Sequence, residues 1–207
     1  MIQPFVYSGT EHQRRHGPDG YTNYKTYKDW LRDEFAFRCV YCLVRERWYP
    51  NTSNAFCVEH SKPQREAPEL ALSYDNLLYA CNTCNSFKSD TEDILNPCTD
   101  AMADHLAVLP DGTINPLTTV GCILVDALDL NGPDIVSMRK DYLVFAQGLN
   151  DGSLRPPDVA DTIRSRFAFP DDLPDLRTSK PPKNSRPDGV NATYFVRRSA
   201  GSLPATY

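Results

Sequence analysis

The chain has 207 residues, 41% hydrophobic and 24% charged, which suits one medium domain or a small domain with a tail and gives a modest core, not two large ones. No apolar run approaches the ~18 residues of a membrane span, and the N-terminus lacks the basic-then-apolar layout of a secretion signal, so a cytoplasmic protein is expected. The net charge of −5 argues against a uniformly basic nucleic-acid binder, yet residues 11–65 hold ten Lys and Arg against seven Asp and Glu, a local balance of +3.

In chain order, residues 1–26 are polar and Tyr-rich and read as an irregular arm. Residues 27–37 (YKDWLRDEFAF) place Trp30, Leu31, Glu34 and Phe35 at helical spacing, which predicts a short amphipathic helix. Residues 55–60 (AFCVEH) are β-prone and read as a strand, 61–73 as a Pro-containing loop, 76–80 (NLLYA) as a second strand and 82–90 as a helix. Pro-Asp-Gly at 110–112, between two short β-prone segments, signals a hairpin. Two helices follow at 118–128 and 133–147, the second with Pro near its start and Gly148 just past its end. From residue 150 the chain turns Pro-rich and reads as a mostly extended tail, with one short helix at 159–167. The expected organisation is therefore an arm at 1–26, a core at 27–100, a hairpin and two-helix extension at 101–149, and a tail at 150–207.

Seven cysteines are an odd number for a disulfide framework. Four form two C-x2-C pairs, Cys39–Cys42 and Cys81–Cys84, separated by 38 residues. Two such thiolate pairs close a tetrahedral shell around Zn2+, and a four-sulfur shell leaves no open position, so this zinc is expected to hold the fold and not to catalyse. Cys57, Cys98 and Cys122 are isolated and read as small buried hydrophobes.

Between and after the pairs stand Val58-Glu59-His60-Ser61-Lys62-Pro63, Asp75-Asn76-Leu77-Leu78 and Cys84-Asn85-Ser86-Phe87-Lys88. With the flanking cysteines, this ordered series resembles the HNH endonuclease family of bacteria and phages over residues 39–88. The resemblance implies an α+β chain built on a ββα-metal, treble-clef-like core. It implies one catalytic divalent cation, normally Mg2+, held by Glu59 and Asn85, with His60 as general base and Asn76 orienting the loop. Lys88 would sit near a phosphate, and Lys62 and Arg45 are further candidates for nucleic-acid contact.

The residue chemistry agrees with these roles. A neutral imidazole accepts a proton near pH 7, and carboxylate and amide oxygens suit a hard cation. Strand alternation sends Glu59 and His60 to opposite faces, so the strand must bend or end at that point. Each residue also has a plainer reading. His60 could be a loop histidine, Glu59 a surface carboxylate, Asn85 a helix cap, Asn76 a turn residue and Lys88 a solvated helix position. Arg14-Arg15-His16 reads as a solvated charge run, and His12, His16 and His105 as structural or surface histidines.

The expected activity is metal-dependent hydrolysis of DNA, with RNA as an alternative substrate, in phage defence, restriction or phage genome processing. The rivals are a non-catalytic zinc module that binds nucleic acid or protein, and a nuclease subunit gated by a protein partner; a homodimer is a further alternative.

Overall fold

A computed structural model describes residues 1–91 and 94–207. The elements run β1 (Pro18–Asp19), α1 (Lys28–Glu34), β2 (Phe56–His60), β3 (Leu77–Cys81), α2 (Asn82–Lys88), β4 (Leu106–Val108), β5 (Ile114–Pro116), α3 (Thr119–Ala127), α4 (Pro133–Asp151), α5 (Pro157–Arg166), β6 (Lys183–Asn184) and α6 (Tyr194–Ser199). The result is a mixed α+β chain with three two-stranded antiparallel sheets, β1–β6, β2–β3 and β4–β5, among the described residues. None of the described helices is long and apolar enough to cross a membrane.

The chain divides into two compact units, one of residues 13–93 with 170–204, the other of residues 1–12, 94–169 and 205–207. These units cut across the boundaries read from the sequence. Most of the arm and much of the tail belong with the core, because their partners lie there.

In the first unit, β2 and β3 pair with Glu59 opposite Leu78 and His60 opposite Leu77. Every residue of β3 is buried, as expected for an apolar strand covered on both faces. Phe56 and Tyr79 stack across the ladder at 5.2 Å, and α1 buries Trp30 and Leu31. A buried polar cluster ties the layers together. Arg32 donates through Nε and Nη2 to the two oxygens of Glu46, both at 2.9 Å, and the Tyr79 hydroxyl donates to Glu46 Oε1 at 2.7 Å. Such a two-pronged guanidinium–carboxylate pair fixes orientation as well as charge.

The Arg14-Arg15-His16 run is not a solvated stretch. His16 is fully buried with Nε2 2.9 Å from Asp33 Oδ1, its backbone N–H donates to Glu34, and Arg14 lies over the rings of Phe35 and Tyr74. Nor is 170–204 a loose tail. Lys183 pairs with Asp19 and Asn184 with Pro18, the Ser185 N–H donates to the Gly17 carbonyl, and the Tyr194 N–H donates to Asp33 Oδ2 at 2.9 Å. Gly189 passes so close to the arm that a Cβ there would run into the Arg15 carbonyl.

In the second unit, the β4–β5 hairpin turns through Gly112 at φ 89°, with the Asp111 side chain accepting from the Thr113 N–H. Thr118 caps α3 by accepting from the Gly121 N–H. Helix α4 runs four residues beyond the expected end at 147, because Gly148 is buried inside the helix and Gly152, at φ 71°, supplies the left-handed terminus. Arg139 is fully buried and donates to the carbonyls of Gly112 and Leu130. The isolated cysteines differ from the expectation of burial: Cys57 and Cys98 are half-buried and Cys122 is exposed.

Candidate metal centre and catalytic pair

The four paired cysteines come together as their spacing predicts. All are buried, and their sulfurs lie within 4.8 Å of one another. Cys42 Sγ and Cys81 Sγ are 3.7 Å apart, against the roughly 3.8 Å between sulfurs that Zn–S bonds of about 2.3 Å in a tetrahedron require. Cys81 caps α2 and its sulfur accepts from the Cys84 N–H at 3.4 Å. Hydrogen bonds from the other three thiols hold Cys81 far below the ordinary thiol range, whereas burial pushes Cys42 well above it. Crowded thiols that cannot all ionise without a cation are the donor set of a structural zinc, and the site fits that ion.

Strand β2 ends at His60, which resolves the alternation problem: Glu59 turns inward and His60 stands where the chain leaves the sheet. The loop that follows is fixed by Asn76. Its Oδ1 accepts from the Lys62 N–H at 2.9 Å, and its Nδ2 donates to the carbonyls of Lys62 and Leu70 at 3.1 and 3.4 Å, while the Ser61 N–H donates to the Asn76 carbonyl at 2.8 Å. Asn76 therefore staples both ends of the loop behind the histidine.

The imidazole is held on three sides. Nε2 lies 3.0 Å from the Ala71 carbonyl, Nδ1 lies 3.3 Å from Gln64 Nε2, and the Tyr24 ring meets it edge to face at 4.8 Å. A carbonyl only accepts, so Nε2 carries the proton and Nδ1 keeps its lone pair, taken by the Gln64 amide. Burial lowers the His60 pKa, with Lys88 adding to the effect, which keeps the ring neutral and able to accept a proton near pH 7. Tyr24, Gln64 and Ala71 were not legible as site residues.

Glu59 is 3% exposed and Lys88 is fully buried. Lys88 Nζ donates to Glu59 Oε1 and to the His60 carbonyl, both at 2.9 Å. Burial still outweighs this cation and pushes the Glu59 pKa up to about 7. Lys88 and Arg45, expected near the nucleic acid, are both buried in this chain. Lys88 turns inward because Glu59 would otherwise be a buried, uncompensated charge. Arg45 is 1% exposed and lies over the Trp48 ring. Lys62 is exposed, two residues after the histidine.

Asn85 is half-buried on the first turn of α2, beside the zinc ligand Cys84 and one turn before Lys88. Glu59 Oε2 and the Asn85 amide oxygen are the hard donors on the two elements that Lys88 joins. A carboxylate and an amide oxygen are the donor types that a hard divalent cation takes.

Residues 39–91 match the family model for HNH endonuclease. A Septu protein PtuB from Bacillus thuringiensis is 33% identical over 128 residues, which covers 55% of this chain and 49% of the relative. The chain thus spans about half the length of that curated relative. The family resemblance read from the motif holds for residues 39–91, an HNH domain whose clustered cysteines suit zinc.

Proposed function

We propose that this chain is a metal-dependent endonuclease that hydrolyses phosphodiester bonds in DNA. The observation that carries the reading is the 3.0 Å contact of His60 Nε2 with the Ala71 carbonyl: an acceptor there holds the proton on Nε2, which leaves the Nδ1 lone pair as the base. An attacking water takes the place of the Gln64 amide on Nδ1 and gives up its proton there as it adds to phosphorus. Glu59 and Asn85 would hold a divalent cation, which would supply charge stabilisation to the reacting phosphate. Asn76 keeps the loop, and hence the imidazole, in register. The products are a 5′-phosphate and a 3′-hydroxyl. The likeness to a Septu protein favours phage defence among the settings open to such an enzyme.

A second reading, a nuclease held off until a partner engages it, is favoured by one feature. Both reacting groups are already occupied within the chain, Glu59 by Lys88 and His60 by Gln64.

The test is nicking of supercoiled plasmid by purified protein with Mg2+, beside His60→Ala and a metal-free control. Cutting by the wild type that both controls abolish supports the assignment. Cutting that survives His60→Ala removes His60 as the base. A wild type that cuts only when a partner is added favours the gated enzyme.

A further inference from the structure

Residues 177–198 hold six cations, Arg177, Lys180, Lys183, Arg186, Arg197 and Arg198, against the single carboxylate of Asp188, a net +5. The whole chain is at −5, so the remainder stands at −10. An acidic protein that gathers positive charge on one 22-residue segment has a localised place for a polyanion.

That segment is part of the unit that contains His60. It is fastened by the β1–β6 pairing, by Arg186 Nη1 donating to the His16 carbonyl at 3.0 Å and by the Tyr194 contact with Asp33. Lys180, Lys183 and Arg186 recur every third residue and all three are exposed. Among the described residues neither Lys180 nor Lys183 is held in an ion pair, whereas Arg177 is occupied by Asp175 and Arg198 by the carbonyls of Pro170 and Asp171.

The segment also lies close to the base. Ser185 and Arg186 line a cleft of about 450 Å3 together with Glu69, Leu72 and Ser73, which flank the Ala71 that holds His60. Lys183 pairs with Asp19, five residues before the Tyr24 that touches His60. Five residues span at most about 18 Å, and a ladder step adds about 5 Å. The strap and the base are therefore separated by less than the ~34–36 Å of one duplex turn. Asp19, Glu69 and Asp75 line the same cleft, which keeps phosphates out of it and on the exposed cations beside it.

We propose that the strap at 177–198, through Lys180 and Lys183 with Arg186 beside them, is the backbone-binding track for duplex DNA. It positions the strand for the His60 site and reads no base sequence. The proposal rests on the nuclease reading and assigns its substrate contact.

The experiment measures binding of a fluorescent 20-bp duplex by the full-length protein without added Mg2+, as a function of salt. The variants are Lys180→Gln/Lys183→Gln and, as a control in the other unit, the exposed Lys140→Gln. Losing two phosphate contacts makes the slope of log K against log salt shallower by about 1.8 and weakens binding by at least roughly 10-fold near 0.1 M salt. A slope and affinity equal to wild type overturn the track and leave the nuclease assignment standing on the plasmid assay. A loss matched by Lys140→Gln overturns it as well, since that shows a general charge effect. Preference for single-stranded RNA over the duplex would overturn the choice of substrate.

Discussion

Replacing Lys88 by Met tests the centre of the site. Lys88 is fully buried and Glu59 nearly so, with 2.9 Å between Nζ and Oε1. Removing one partner of a buried pair costs about 3–5 kcal/mol because the other charge is stranded. With the lysine present, the Glu59 pKa already stands at about 7 against an ordinary 4.5, which makes the ionised form ~3 kcal/mol less favourable in the fold than in the unfolded chain. The sign follows. A carboxylate with a raised folded pKa contributes its full stability below the unfolded value and loses it as pH rises through about 7. Lys88→Met pushes that pKa higher, so its penalty is large at pH 8 and shrinks at pH 6, where Glu59 takes a proton. Both tryptophans, Trp30 and Trp48, are buried in the same unit, so their fluorescence follows its unfolding. At a urea dependence of about 2 kcal/mol/M, the midpoint should fall by roughly 1.5–2.5 M at pH 8. Glu59→Met/Lys88→Met should recover most of it, since an apolar pair replaces a buried ionic one at little cost. A variant as stable as wild type at pH 8, with a DNA-binding salt slope shallower by about 1, would refute the buried counter-ion and make Lys88 a phosphate contact.

Two further outcomes follow from the same geometry. Purified protein should contain one zinc per chain by elemental analysis, and Cys84→Ala should lose both the zinc and the cooperative tryptophan transition, since a structural zinc contributes about 10–16 kcal/mol against a total stability of about 5–15 kcal/mol. Asn76→Ala should lower stability by about 1–3 kcal/mol through the groups of Lys62 and Leu70 it leaves unpaired, and should reduce the kcat of cleavage more than it changes KM, because the loop that sets His60 loosens.

The hairpin at 106–116, strands β2 and β3, and helix α2 were legible because each is specified by short-range pattern: alternation, Pro-Asp-Gly, and a C-x2-C that starts a helix. The zinc cluster was legible for the same reason, since ligand spacing is a local property. The direction of Lys88 was not. On sequence it is a helix cation, and only its distance to Glu59, 29 residues earlier, turns it inward. The fastening of residues 170–204 was equally hidden. Prolines there advertise extended chain, although Pro187 in fact opens a short helical segment, and nothing local says that Lys183 and Asn184 pair with a two-residue strand some 165 positions upstream. Arg14-Arg15-His16 misled in the same way, because a run of cations looks solvated until Asp33 and Glu34 meet it.

Helix α2 has seven residues, too short to be stable by itself, since isolated helices shorter than ~12–15 residues are marginal in water. It is held at its start by Cys81 and Cys84 on the zinc side and at its end by Lys88 on Glu59 and the His60 carbonyl. Asn85 lies between these two anchors. A zinc on the cysteines would thus be coupled mechanically to the charge arrangement of the site: without the sulfur anchor the helix frays and Lys88 leaves Glu59. A closed four-sulfur site with no open position would therefore still bear on the proposed reaction, through the seven residues of α2 that connect it to Glu59 and His60.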